Sequence, residues 1–243
     1  MSTIDKSFIP ILDNVLLGRL QKCQSEADDE IFGCQYAINA SINTTWLGHY
    51  VHHMQRRDPF GDICNVHTLK TTQDFLAAFQ LVRSSMHSQA ANAIRLGCET
   101  AWQNTWFHEH PDRAEEWKSG QRFQPRQIRK GISTFQTQRK YLYDELSRMA
   151  HPNESAMTGL VSPYAGPKTI NVDVLLPVYD LSRIRATLFR LFYAILVAQL
   201  DFDGCHLGFL NNEQRDAYGI QSKSMLKYYD VIKSNLPTDL HLD

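Results

Sequence analysis

Hydrophobic residues recur every three or four positions along most of this 243-residue chain, a pattern that predicts amphipathic α-helices. The first two predicted helices cover residues 11–20 and about 31–54. Thr71 and Asp74 have the three-residue spacing of a capping box, so we expect a third helix to begin there. Its apolar face continues without a break to about residue 109, which predicts one long helix.

Proline and glycine divide the second half of the chain into shorter helices. A single segment, residues 170–176, alternates as a strand would, and a Pro-, Gly- and Ser-rich loop is expected over residues 152–173. Helices are predicted over residues 111–118, from Pro125, and over residues 134–150, 177–203 and 211–235. The sequence therefore predicts an all-α bundle of about seven helices, forming one domain over residues 1–243.

Composition narrows the class of protein further. Apolar residues make up 43% of the chain, which is ample for a packed core, and the net charge of -1 gives no overall field toward nucleic acid or membrane. The five cysteines include no CxxC pair, which favours reduced thiols and a cytoplasmic location. The most apolar run, residues 191–198, is far shorter than the ~20 residues of a membrane span. It predicts a buried core helix, so no membrane association is expected.

One local charge bias stands out against this neutral background. Residues 117–143 contain seven lysines and arginines and no acid, with glutamines and phenylalanines between them. Cations beside amides and aromatic rings suit a phosphate backbone with stacked bases, so this segment is a candidate RNA-binding surface. The alternative is a solvated helix surface balanced by acids elsewhere. The candidate contacts are Arg122, Arg126, Arg129, Lys130, Arg139 and Lys140.

A second charged pair lies on the predicted long helix. Arg95 and Glu99 are four residues apart, and Trp102 and Trp106 continue the same side of the helix. Such a pair can orient a catalytic group or line a polar cavity. The alternative is an ordinary intrahelical ion pair that contributes ~0.3–0.5 kcal/mol or less.

The patterns of metal and cofactor sites are missing from the sequence. His49 and His53 have the i,i+4 spacing of two metal ligands, but no acidic or cysteine ligand accompanies them. Ser147 and His151 share a helix face, but without the GxSxG turn that exposes a hydrolase serine. Neither a Walker nor a Rossmann glycine pattern is present. We therefore expect neither a metal nor a cofactor.

The segment YLYDELSRMAHPN, residues 141–153, ends a predicted amphipathic helix. Pro152 disfavours an α conformation at the preceding residue, so His151 is expected at the end of the helix. A histidine at a helix C-terminus, next to Arg148, can be catalytic, or it can only cap the helix.

Three spaced patterns in this region resemble bacterial all-helical proteins related to the HEPN superfamily. They are Arg95-x-x-x-Glu99, then His110-Pro111-x-x-Ala114-x-x-Trp117, then Tyr143-x-x-Leu146-Ser147-x-x-x-His151-Pro152. The resemblance covers roughly residues 72–153 and implies a HEPN-like core with additional N- and C-terminal helices. It also implies a homodimer and a role in bacterial defence or stress.

Active HEPN proteins are metal-independent ribonucleases, and the resemblance implies the corresponding roles here. His151 would be the general acid or base, Arg148 or Arg95 would contact the phosphate, and Glu99 would orient them. The family places four to six residues between its arginine and histidine, whereas Arg148 has two residues between it and His151. The alternative function is a non-catalytic protein-interaction module in which the His-Pro step only ends a helix.

Overall fold

The computed structural model describes residues 8–49, 59–150, 179–206, 208, 210–233 and 236–242. These residues form nine α-helices and one 3-10 turn, and they contain no strand. The prediction of an all-α protein is confirmed, although the described part alone has more than the seven helices expected. The strand predicted at residues 170–176 lies outside the described residues. The helices are α1 (Phe8–Glu26), α2 (Asp28–His49), α3 (Pro59–Arg83), α4 (His87–Glu109), α5 (Pro111–Lys118), α6 (Pro125–Gly131), α7 (Gln136–Ala150), α8 (Leu181–His206) and α9 (Asn212–Ile232).

The predicted long helix over residues 71–109 is wrong, because the chain reverses at Ser85. Ser85 has a φ of 63°, and the next amide, that of Met86, donates to the carbonyl of Leu81 at 2.8 Å. Helix α3 begins at Pro59, so Thr71 lies inside it and does not cap it. The Thr71 hydroxyl instead donates across the hairpin to the carbonyl of Gly97 at 3.4 Å, and α3 packs antiparallel to α4.

Helix α8 is the centre of the bundle. All its residues from 191 to 199 are buried, which confirms that the most apolar run is a core helix. The Cys34 thiol lies 3.2 Å from the Leu188 carbonyl, and Gln199 donates to the Thr44 hydroxyl at 2.7 Å. These two contacts make α2 parallel to α8. No helix in the described part of the chain is both long and apolar enough to cross a membrane.

The other core helices alternate in direction around α8. Helix α4 is parallel to it, since a ring nitrogen of His87 lies 3.3 Å from the Thr187 hydroxyl near the N-termini of both helices. Helix α7 runs antiparallel to α4, because the Ser88 hydroxyl donates to the carbonyl of Ala150 at 3.2 Å. The C-terminus of α7 therefore lies at the N-terminus of α4, and the N-terminus of α7 lies toward the C-terminus of α4. This arrangement places the lysine- and arginine-rich residues 117–143 at the C-terminal end of α4.

The C-terminal part of the chain closes the bundle. The Tyr228 ring of α9 occupies the space that a side chain at Gly33 would need, and it packs 4.8 Å from the Phe192 ring, centroid to centroid. The Tyr193 hydroxyl donates to the Leu240 carbonyl at 2.6 Å. Gln138 donates to the carbonyl of His241 at 3.3 Å, so the tail after α9 also contacts α7.

Candidate nucleic-acid interface

Helix α6 is anchored to the C-terminal end of α4 by aromatic packing. Just before α6, the Phe123 ring meets the Trp106 ring of α4 edge to face at 4.8 Å, and Ile128 of α6 itself is buried. Gly131 ends the helix directly against Trp106. A Cβ atom there would lie 2.5 Å from the indole nitrogen, so only glycine fits without a shift.

The segment between α6 and α7 is held by a carboxylate at the end of α4. Glu109 accepts hydrogen bonds from the Ser133 amide at 3.2 Å and from the Ser133 hydroxyl at 3.1 Å. Ile132 is fully buried next to this contact, and Phe135 turns the chain into α7 with a φ of 46°. The corner formed by α6 and α7 therefore has a defined position on the bundle.

Four of the six predicted RNA contacts are exposed: Arg122 in the segment before α6, Arg126 and Lys130 on α6, and Lys140 on α7. None of the four forms an ion pair with another residue of the described part of the chain. On α6, two of them are separated by one helical turn and share a face. We name these four residues the basic corner. Its cations are exposed, and no carboxylate of the described residues forms an ion pair with them.

Arg129 is close to this surface but is engaged within the protein. Its guanidinium lies 4.3 Å from the centre of the Tyr143 ring and 3.8 Å from the carboxylate of Asp144. Only 16% of the side chain is exposed. Arg129 therefore joins α6 to α7, and it supports the basic corner more than it extends it.

Arg139, the sixth predicted contact, is not on the surface. Its side chain is fully buried and forms an ion pair with Asp201 of α8, which is also fully buried. It lies on the same side of α7 as the core residues Leu142 and Leu146. Arg139 thus has a place in the core, where an RNA backbone cannot reach it.

Two further carboxylates, Glu109 and Asp203, interact electrostatically with Asp201 of this buried pair. Burial raises the pKa of Asp201 to about 6 against the opposing effect of Arg139. Burial likewise raises the pKa of Asp203 to about 7, and the neighbouring charge of Asp201 adds to the increase while a hydrogen bond from Gln199 opposes it. The pKa values of both aspartates are therefore closer to neutrality than that of an exposed aspartate.

Arg95 and Glu99 form the predicted pair on α4, 3.7 Å apart, with about a fifth of each side chain exposed. Arg95 also donates to the side chain of Asn92 at 3.1 Å. Burial raises the pKa of Glu99 although Arg95 opposes the rise. These contacts are those of an intrahelical pair, with Asn92, Arg95 and Glu99 all on α4.

Arg148 is held by a carboxylate rather than directed at an open site. It donates to both oxygens of Glu145, at 2.6 and 2.7 Å. Glu145 also accepts from Arg190 of α8 at 2.8 Å. Burial alone would raise the pKa of Glu145, but the hydrogen bonds from the two arginines outweigh it and lower the pKa. His151, the predicted acid or base, lies outside the described residues.

Sequence reasoning missed Glu109, Asp201 and Arg190, which position the candidate residues. Asp201 follows the apolar run of α8 and Glu109 lies in a His-Glu-His step, so neither had a recognisable partner in the sequence. In the described part of the chain, no cluster of three or more potential metal ligands is present. His49 ends α2, whereas His53 lies outside the described residues.

Comparisons with known proteins give no relative for this arrangement: no family model, no curated protein and no solved structure matches the chain.

Proposed function

We propose that this protein binds RNA through the basic corner formed by α6 and α7. The observation that carries the proposal is the contrast between its four cations and their neighbours. Lys118 pairs with Glu115 at 3.6 Å and Arg113 pairs with Glu116 at 2.7 Å, whereas no described acid neutralises the basic corner. Unpaired exposed cations are the groups that neutralise phosphates and release the counterions condensed on them.

The support beneath the basic corner favours a binding surface over a solvated helix face. Glu109 holds the segment after α6, and Arg129 joins α6 to Tyr143 of α7. Cations on a rigid corner lose less conformational freedom on binding than cations on a mobile segment. The near-zero net charge does not oppose this proposal, because phosphate binding depends on local charge density.

Ribonuclease activity by His151 stays a prediction of the resemblance, and so does the alternative of a protein-interaction module. Arg148 is bound to Glu145, so stabilisation of a phosphorane by Arg148 would first require the release of this carboxylate. The proposal is therefore restricted to RNA binding and does not depend on catalysis.

A charge-matched pair of variants tests the proposal. The first replaces Arg122, Arg126 and Lys130 with glutamine. The second replaces Arg215, Lys223 and Lys227 of α9 with glutamine. These three residues are also exposed and make no ion pair with another described residue. Both remove three positive charges, so any difference between them reports position rather than net charge.

Binding is measured by fluorescence anisotropy with a single-stranded RNA oligonucleotide over a series of salt concentrations. We expect the first variant to bind RNA more weakly. The negative slope of log K against log salt should become shallower by ~0.7 for each phosphate that the variant no longer neutralises. The second variant should retain the wild-type affinity and slope. Equal decreases in affinity for both variants, or no binding by the wild type, would reject the proposal.

A further inference from the structure

Six large apolar side chains are exposed on two neighbouring helices, and we name them the α2–α3 face. Trp46 is 71% exposed, Phe32 65% and Val66 62%, values that are unusual for side chains of this size. Single exposed apolar residues are normal, but a contiguous group marks a contact surface. The six residues are Phe32, Ile42 and Trp46 of α2, and Val66, Leu69 and Leu76 of α3.

The three exposed apolar residues of α2 and the three of α3 lie on the same side of the helix pair. Helix α2 is parallel to α8 and to α4, and α3 is antiparallel to α4, so α2 and α3 are antiparallel. The hydroxyls of Thr45 and Thr72 lie 3.1 Å apart and mark the line of contact between the two helices. At 100° per residue, Trp46 and Leu69 are each within about 100° of their threonine, on the side away from the core.

This surface also lacks charge. The exposed positions of α2 from 32 to 46 are Phe, Gln, Asn, Ile, Asn and Trp. On α3, the exposed positions from 66 to 80 include a single charged residue, Lys70, and it pairs with Asp74. Apolar and aromatic residues with few charges characterise the centre of a protein–protein interface.

We propose that the α2–α3 face binds a second copy of this chain in an isologous dimer. An uncharged face meets its own copy without electrostatic repulsion, and the net charge of -1 adds almost none over the whole chain. Two antiparallel helices present parallel ridges that pack against an identical pair, as in a four-helix arrangement. Trp46, the most exposed of the six residues, is the expected energetic centre.

The size of the face sets the strength of this dimer. The exposed apolar residues of α2 extend over about four turns, or roughly 21 Å, and those of α3 over about three turns, or roughly 15 Å. Each helix is about 10 Å wide. The projected area is therefore about 360 Å², less than half of the ~800 Å² that each partner buries in an interface of standard size. The dimer is therefore weak and forms in a concentration-dependent manner.

Sedimentation equilibrium over a wide range of protein concentrations tests this inference, with Trp46→Glu as the disrupting variant. The matched control is Leu226→Glu, which places the same charge at an exposed leucine of α9. We expect a wild-type monomer–dimer equilibrium, a dissociation constant at least ~30-fold weaker for Trp46→Glu, and no change for the control. Circular dichroism establishes that each variant is folded.

A second variant, Leu69→Glu, keeps the test decisive if Trp46→Glu fails to fold. The inference is overturned if the wild type is monomeric at every concentration. That result would leave a different protein as the partner of the α2–α3 face. It is also overturned if Leu226→Glu weakens the dimer as much as the variants of the face do. RNA binding is not part of either readout, so this test is independent of the basic corner.

Discussion

Arg139 of α7 and Asp201 of α8 form an ion pair from which solvent is fully excluded. Arg139 also donates to the Thr134 hydroxyl at 3.2 Å, and its amide donates to the Phe135 carbonyl at 2.9 Å. The remaining guanidinium nitrogens and one oxygen of Asp201 make no hydrogen bond within the described part of the chain. Each charge therefore depends mainly on the other, and the pair fixes α7 against the central helix.

Replacing Arg139 with methionine should destabilise the protein strongly. The substitution preserves the length of the side chain but leaves Asp201 buried without its cation, at a cost of ~3–5 kcal/mol in the free energy of unfolding. Urea denaturation monitored by circular dichroism measures this decrease. The double variant Arg139→Met with Asp201→Leu should be destabilised less, because no buried charge is left unpaired.

Arg122→Met is the surface control for this experiment. Its cation is exposed and has no acidic partner in the described residues, so we expect a change within ~0.5 kcal/mol. Similar destabilisation by Arg139→Met and Arg122→Met would contradict the role assigned to the buried pair.

Asp203 should make the stability of the protein depend on pH. Its pKa is raised to about 7 by burial, so the folded state binds a proton that the unfolded chain releases near pH 4. The stabilisation by the neutral carboxyl is complete below the unfolded pKa, declines above it, and is lost as the pH rises through about 7. The pH window is therefore roughly 4 to 7.

Asp203→Asn tests this dependence, because asparagine stays neutral throughout the window. Relative to the wild type, the variant should gain stability from pH 4 to pH 8, by at most ~4 kcal/mol for a shift of this size. Urea denaturation at several pH values gives the comparison. A constant difference between the two proteins would show that Asp203 does not titrate with a raised pKa.

The central helix could be predicted from the sequence and the α3–α4 corner could not, for a physical reason. The uninterrupted apolar residues 191–198 have no stable place except a core. The corner depends on Ser85 in a left-handed conformation, which the sequence marks with neither glycine nor proline. Apolar periodicity continues through the corner because α3 and α4 pack on the same core.

Arg139 shows that a run of cations in the sequence can include a residue that is buried in the core. It belongs to a run of cations, but it lies three and seven residues before Leu142 and Leu146, on the buried face of α7. This spacing was a usable signal for a core position. Its partner Asp201 is 62 residues away in the chain, and only the packing of α7 on α8 brings the two together.

Gly131→Ala should displace α6 and thereby weaken RNA binding without changing any charge. The added Cβ atom would lie 2.5 Å from the indole nitrogen of Trp106, and overpacking of this kind costs ~1–3 kcal/mol. Thermal denaturation and RNA anisotropy measure the two effects. Gly18→Ala is the control, because nothing lies within 4 Å of a Cβ there and alanine favours α1 by ~0.5–1 kcal/mol. Equal behaviour of the two variants would rule out the close contact at Trp106.

His151→Ala separates cleavage of RNA from binding of RNA. The HEPN resemblance predicts that the wild type cleaves RNA in the presence of a chelator and that the variant does not, because the general acid or base is removed. The basic corner is unchanged in this variant, so its affinity for RNA should equal that of the wild type. Product analysis on denaturing gels and anisotropy measure the two quantities. Cleavage that persists in the variant would exclude a catalytic role for His151. Binding without cleavage by the wild type would leave an RNA-binding protein in which the bond between Arg148 and Glu145 is structural.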